Sequence, residues 1–206
     1  MKILILIVSL VSLSVSPVYS SETGKNDFLK MFEKFKTDFN SKTISSLNDY
    51  IDPQYGLFVL DNPGAFINGY YFNSFDSIIN SSKETDLYRM KNIVINCEPA
   101  EGPLPYYNCD GGKEGWDKEG CYYNNSPEIN IKSRVYGFVD ENGNSGFDGD
   151  GNTNETYKII QDRLNKSAEQ FDHAFYATGS YIGLYFGERD GKFYLLMIDL
   201  VTPCDA

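Results

Sequence analysis

An α+β fold is predicted for this chain, with N-terminal helices packed on a curved, mainly antiparallel sheet. Three observations predict it. Phe28, Phe32, Phe35 and Phe39 recur at steps of four, three and four, which is one stripe of an amphipathic helix. Near the other end, two aromatic runs, Ala174 to Phe186 and Phe193 to Val201, flank Glu188-Arg189-Asp190-Gly191, a hairpin turn. Helical and strand-like segments are grouped and do not alternate regularly, the pattern of α+β and not of a doubly wound parallel sheet.

The first element is a targeting segment. Met1-Lys2 is a minimal basic start, Ile3 to Val15 is apolar or Ser, and Pro17 followed by Val18-Tyr19-Ser20 suits cleavage after residue 20. The apolar run is shorter than the roughly 20 residues that span a bilayer, so it reads as a signal peptide and not as an anchor. The expected organisation is therefore a signal peptide at 1–20 and a single domain at 21–206, exported to a periplasm or secreted, with no transmembrane anchor after cleavage.

The helix carrying the Phe stripe is expected to start at Asp27, a plausible N-cap. A short second helix follows with Ile44, Leu47 and Ile51 on one face, and Pro53 prevents its continuation. Tyr55 to Asp61 and Ala65 to Phe72 read as strands joined at Asn62-Pro63-Gly64. Asn73 or Ser74 caps a short helix with Phe75, Ile78 and Ile79, and Leu87 to Asn96 reads as a third strand. Residues 97–120 form a Gly-, Pro- and Cys-rich loop holding the only tryptophan, Trp116. A strand opens at Cys121; residues 127–139 suit either strand or helix; 140–155 is an acidic loop; Tyr157, Ile160, Leu164 and Ala168 mark an extra helix near 155–170.

Composition excludes some functions. The hydrophobic fraction of 41% and charged fraction of 23% are those of a globular chain, not a disordered one. With 18 basic and 29 acidic residues the net charge is −11, which repels phosphate backbones and argues against nucleic acid as a partner. Cys97, Cys109, Cys121 and Cys204 are an even set without paired C-x-x-C spacing, so in an oxidising compartment two disulfides are expected and not a zinc site. Three connectivities exist. If strands before Cys97 and after Cys121 pair across the loop, these two cysteines face each other and Cys109 is left for Cys204, so this pairing is favoured, with a disulfide-stapled loop at 97–121.

Short motifs carry a resemblance. Leu104-Pro105-Tyr106-Tyr107-Asn108-Cys109, Trp116-Asp117-Lys118-Glu119-Gly120 and the ending Pro203-Cys204-Asp205-Ala206 resemble small exported proteins of Bacteroidetes-type bacteria. The element order and the terminal hairpin ending Asp190-Gly191-Lys192-Phe193-Tyr194-Leu195 resemble the NTF2-like (cystatin-like, SnoaL-type) cone. That likeness implies a pocket between helices and sheet that family members use for small apolar molecules. The helix near 155–170 departs from it.

Catalytic signals are sparse. His173 is the only histidine, and its neighbour Asp172 would point to the opposite side of a strand, so a nucleophile triad is not expected. In the acidic loop, a register from Asn144 places Asp148, Gly149, Asp150, Asn152 and Glu155 at positions 5, 6, 7, 9 and 12 of a Ca²⁺ loop, but Gly146 at position 3 supplies no ligand. A solvated loop is the simpler reading, and Asp148, Asp150, Asn152 and Glu155 around Ca²⁺ the alternative; no other cofactor is expected. The 16 tyrosines and 14 phenylalanines invite stacking on a small apolar or glycan ligand, although in each strand pair one ring must face the core. The function expected is an exported, non-catalytic binding or accessory module for such a ligand or an envelope protein. The alternatives are an enzyme using a cone pocket with carboxylate and Tyr acid–base chemistry, and a Ca²⁺-stabilised protein-interaction domain.

Overall fold

The computed structural model describes residues 22–62, 67–79, 86–109, 114–125, 127, 137–139, 155–202 and 204. The expected signal peptide at 1–20, the expected turn residues Pro63 and Gly64, nearly all of 127–136 and the loop positions before Glu155 lie outside these residues. Among the described residues there are four α-helices: α1 (Glu22–Ser41), α2 (Ile44–Asn48), α3 (Phe75–Ile79) and α4 (Glu155–Ala168). The strands are β1 (Leu57–Asp61), β2 (Asn68–Phe72), β3 (Ala100–Glu101), β4 (Tyr107–Asn108), β5 (Gly115–Trp116), β6 (Cys121–Asn124), β7 (Gly137–Val139), β8 (His173–Ala177), β9 (Ile182–Arg189) and β10 (Lys192–Asp199).

Eight strands form one sheet in the order β3-β6-β8-β9-β10-β1-β2-β7. The pairs β1–β2, β6–β8, β8–β9 and β9–β10 are antiparallel, whereas β1–β10, β2–β7 and β3–β6 are parallel. The class is thus α+β with a mixed, mostly antiparallel sheet. The sheet is open and does not curl into a cone, since its end strands β3 and β7 are not paired to each other.

One face of the sheet is closed by α1. Phe28, Phe32, Phe35 and Phe39 are buried, and their rings meet Phe175, Phe186, Phe193 and Tyr123. Each fully buried ring contributes roughly 1.5–3 kcal/mol. The helix starts at Glu22, five residues before the expected cap. Asp27 then lies inside the helix, 3.7 Å from Lys30. The chain leaves α1 through Lys42 at φ +53°, where its ammonium donates to the Ile93 carbonyl at 2.7 Å and stands 3.9 Å over the Phe39 ring. Burial lowers the Lys42 pKa to about 8.

Two expected strands are corrected. Leu87 to Asn96 is not a strand: Asp86–Lys91 is a 3-10 helix. Leu87, Met90 and Ile93 are spaced by three, which suits the threefold turn of a 3-10 helix, and all three are buried. The extended piece that follows bonds to a helix side chain and not to a strand: the Asn40 amide donates to the Ile95 carbonyl and accepts from its N–H, both at 2.9 Å. The run Ala174 to Phe186 is two strands, β8 and β9, separated by the 3-10 turn Thr178–Ser180 and by Tyr181 at φ +47°. Thr178 fixes this turn by accepting from the Gly120 N–H at 2.9 Å and donating to its carbonyl at 3.2 Å. The β9–β10 hairpin turns at Asp190-Gly191, with φ of +55° and +73°, the geometry of a type I′ turn.

The other face carries two separate covers. α4 buries Ile160 and Leu164 against Phe58, Leu60, Tyr71 and Met197. Beside it the stapled loop brings Leu104 onto the same face. The structure pairs Cys97 with Cys121, Cα atoms 5.9 Å apart, and Cys109 with Cys204, Cα atoms 5.6 Å apart. Cys97 reaches Cys121 without a preceding strand; the parallel β3–β6 pair just beyond it holds the two chains together.

Candidate functional site

Strand alternation prepares two different surfaces from the same residues. Along β8, Phe175 and Ala177 face α1 while Ala174 and Tyr176 face the opposite side. The α1 side is packed with phenylalanine at its centre, and at its margin a cleft of about 730 Å³ lies between α1, Tyr50 and the β9–β10 turn, lined by Lys30, Lys34, Lys192 and Phe193 among others. The opposite side holds a cleft.

Its roof is the small β4–β5 ribbon, in which Tyr107 pairs with Trp116 and Asn108 with Gly115. Asp117 locks the ribbon base: its carboxylate accepts from the Tyr106 N–H at 2.6 Å, and its own N–H donates to the Tyr106 carbonyl at 2.9 Å. Lys118 Nζ donates to the Pro103 carbonyl. The Cys109–Cys204 bond ties the ribbon to the segment that follows β10. That segment is held in turn by Asn62, whose amide donates to the Thr202 carbonyl at 2.9 Å and accepts from its N–H at 2.7 Å.

The floor is a row across three strands. Tyr176 on β8 is opposite Gly183 on β9, and Gly183 is opposite Asp199 on β10. A Cβ at Gly183 would lie 3.0 Å from the Tyr176 ring and 3.2 Å from Asp199 Cβ. The missing side chain thus leaves the space that the Tyr176 ring and the Asp199 side chain occupy. Asp199 is 5% exposed, and its Oδ1 accepts from the Val201 N–H at 3.0 Å.

Between roof and floor is a cavity of about 330 Å³, lined by Tyr106, Tyr107, Trp116, Tyr176, Tyr185 and Asp199 among others. Trp116 meets Tyr107 edge-on at 5.0 Å, and it lies 5.2 Å from Tyr176 and 5.7 Å from Tyr181. Tyr106, 66% exposed, stands at the rim. Desolvation raises the Tyr107 hydroxyl pKa, and the charges of Glu114 and Tyr181 add to it. On the far side of Trp116 a second cleft of about 520 Å³ runs between Val94, Glu119, Thr178 and Tyr181. The tryptophan is a partition with a cleft on either side. Aromatic rings with a polar edge suit such half-wet positions.

The residues singled out in the sequence fall elsewhere. His173 is buried and stacked on Phe28, ring centroids 4.1 Å apart and planes 8° apart, with Nδ1 3.0 Å from Asn125 Oδ1. Desolvation lowers its pKa, more than the nearby charge of Asp172 raises it. Asp172 accepts from the Glu188 N–H at 2.8 Å. His173 is thus part of the packed face. Asp148, Asp150 and Asn152 lie outside the described residues, and Glu155 is exposed in the first turn of α4. Among the described residues no three His, Cys, Asp or Glu side chains gather as a metal site. The tyrosine pairs divide as alternation requires: Tyr123 is buried under α1 while Tyr122 faces out under Lys118, 4.2 Å from its ring. Gly183 and Asp199 had no signal in the sequence, since their partnership depends on the register of β8, β9 and β10.

No protein-family model matches the chain, and neither the curated proteins nor the solved structures contain a match to it.

Proposed function

We propose that the chain is an exported binding or accessory module that holds a small ligand in the aromatic cleft beside Trp116, without transforming it. One observation carries this reading. A half-open cavity is built from tyrosine and tryptophan rings and braced by a disulfide, on the face opposite the phenylalanine-packed core. Apolar cavities with a few convergent polar groups are the usual form of small-molecule sites. Export is supported by the apolar first segment and by the two disulfides. Among the described residues no helix is long and apolar enough to cross a membrane. The helices-first order and the terminal hairpin support kinship with the NTF2-like architecture, with the open sheet and the phenylalanine-packed helix face as departures from it.

Native mass spectrometry on protein purified from its own organism tests the proposal. A small molecule retained by the wild type and lost from Trp116→Ala supports it. A ligand retained equally by both places the site elsewhere. The buried Asp199 beside Tyr176 and Tyr185 favours a second reading, acid–base catalysis in the same cleft. Release of the retained molecule in chemically altered form would select that reading.

A further inference from the structure

We infer that the ligand held beside Trp116 is a short neutral oligosaccharide, with one sugar ring on each side of the indole; the inference rests on the binding-module reading above. Trp116 lines both the cleft of about 330 Å³ and the cleft of about 520 Å³, and it is the wall they share. Each side has its own aromatic partner. Tyr107 stands 5.0 Å from Trp116 in the first cleft, and Tyr181 stands 5.7 Å from it in the second. Tyr106, exposed at the rim, extends the aromatic surface of the first side. A single compact molecule fills one such cleft, whereas a chain of linked rings uses two that adjoin. A sugar ring carries C–H groups on its faces and hydroxyls around its edge. It therefore needs aromatic surface and hydrogen-bonding groups side by side, and tyrosine and tryptophan supply both.

The second cleft supplies the polar groups. Among the described residues the Trp116 indole N–H, the Tyr181 hydroxyl, the Asn96 amide and the Glu119 carboxylate make no hydrogen bond, and all four side chains line this cleft. An apolar occupant would strip them of water and leave them unpaired, at a cost in free energy. Sugar hydroxyls both donate and accept, so they satisfy the indole donor and the carboxylate acceptor alike. Tyr181 sits at φ +47°, a conformation that bulky side chains rarely adopt. The turn holds it there: its N–H donates to the Thr178 carbonyl at 3.3 Å, and the Thr178 hydroxyl is bonded to Gly120. Glycine would take this conformation without strain. What tyrosine adds at this position is its ring beside Trp116, and strained residues of this kind cluster at ligand sites.

The emission of the only tryptophan and titration calorimetry read the binding. The probes are cellotriose, maltotriose and triacetylchitotriose, their monomers glucose and N-acetylglucosamine, and hexan-1-ol as an apolar control. The expected result is saturable binding of at least one trisaccharide, at least tenfold tighter than its own monomer because linked rings occupy both sides together, and tighter than hexan-1-ol. Tyr181→Gly, with native circular dichroism, is expected to bring that trisaccharide to the level of its monomer. Glu119→Ala, which alters an exposed side chain, is expected to weaken it severalfold and decides independently of the turn. A trisaccharide bound no tighter than its monomer, hexan-1-ol bound more tightly, or binding undiminished by either variant overturns the inference. No binding of any trisaccharide by either readout overturns it as well. The co-purification experiment judges the binding-module reading separately: a retained molecule that contains no sugar and is lost from Trp116→Ala upholds that reading and overturns the saccharide inference.

Discussion

The two faces of the sheet are built from neighbouring residues of the same strands and behave differently. Facing α1, the aromatics are mostly phenylalanine, buried and in ring contact with one another, and only Tyr50 and Phe193 border a cleft at the margin. Facing the stapled loop they are tyrosine and tryptophan, with cavities left between them. Phenylalanine has no polar atom to satisfy and packs to crystal-like density. Tyrosine and tryptophan carry a polar edge, and that edge keeps a route to water. A close-packed face supplies stability, and a face with gaps supplies a place to bind.

The largest expected effect contrasts the faces directly. Phe32→Ala removes a ring at 0% exposure and should cost about 3–5 kcal/mol by urea unfolding. Trp116→Ala, on the half-open face, should cost under about 2 kcal/mol while abolishing ligand retention. Comparable losses at the two positions would break the comparison.

The second test uses the disulfides, which also divide between the faces. Cys121 lies in the α1-side core, with Cys97 packed against it. Cys109 and Cys204 are both exposed and brace only the roof of the cleft. Replacing Cys109 and Cys204 together by Ser should cost roughly 2–4 kcal/mol, up to about 4.7 by loop entropy alone. The variant should keep native far-UV circular dichroism while the Trp116 emission shifts toward that of exposed indole. An unshifted emission would mean that the ribbon holds without its staple.

The smallest effect is a pH dependence confined to the α1 face. His173 has a folded-state pKa below its ordinary value of 6.5, chiefly from desolvation. The unfolded chain therefore binds more protons than the folded one just below pH 6.5, and stability falls as pH falls through that range. It is fully present above 6.5. His173→Phe, which keeps the stack on Phe28, should flatten the slope of melting temperature against pH between about 5 and 7. An unchanged slope would assign the acid sensitivity to other groups.

Much of the secondary structure on both faces was legible in the sequence, because it depends on local periodicity. The Phe stripe of α1, the β1–β2 hairpin, the extra helix α4 and the Asp190-Gly191 turn all follow from spacing or turn chemistry within a few residues. The favoured cysteine pairing is the one present, although the strand invoked before Cys97 is a 3-10 helix and an extended piece held by Asn40. Thr178-Gly179-Ser180 inside an apolar run was the available sign that one strand was two.

The sequence by itself determined the α+β class, the amphipathic helices, the acidic surface and the cysteine chemistry, since each is set by composition or by neighbours along the chain. Only the tertiary structure decided that β1 lies parallel to β10, that the sheet stays open, and that Tyr176, Gly183 and Asp199 form one row under Trp116. These depend on strand register between residues far apart in sequence. A shift of one residue would send each of those side chains to the opposite face, and no local preference of tyrosine, glycine or aspartate fixes that choice.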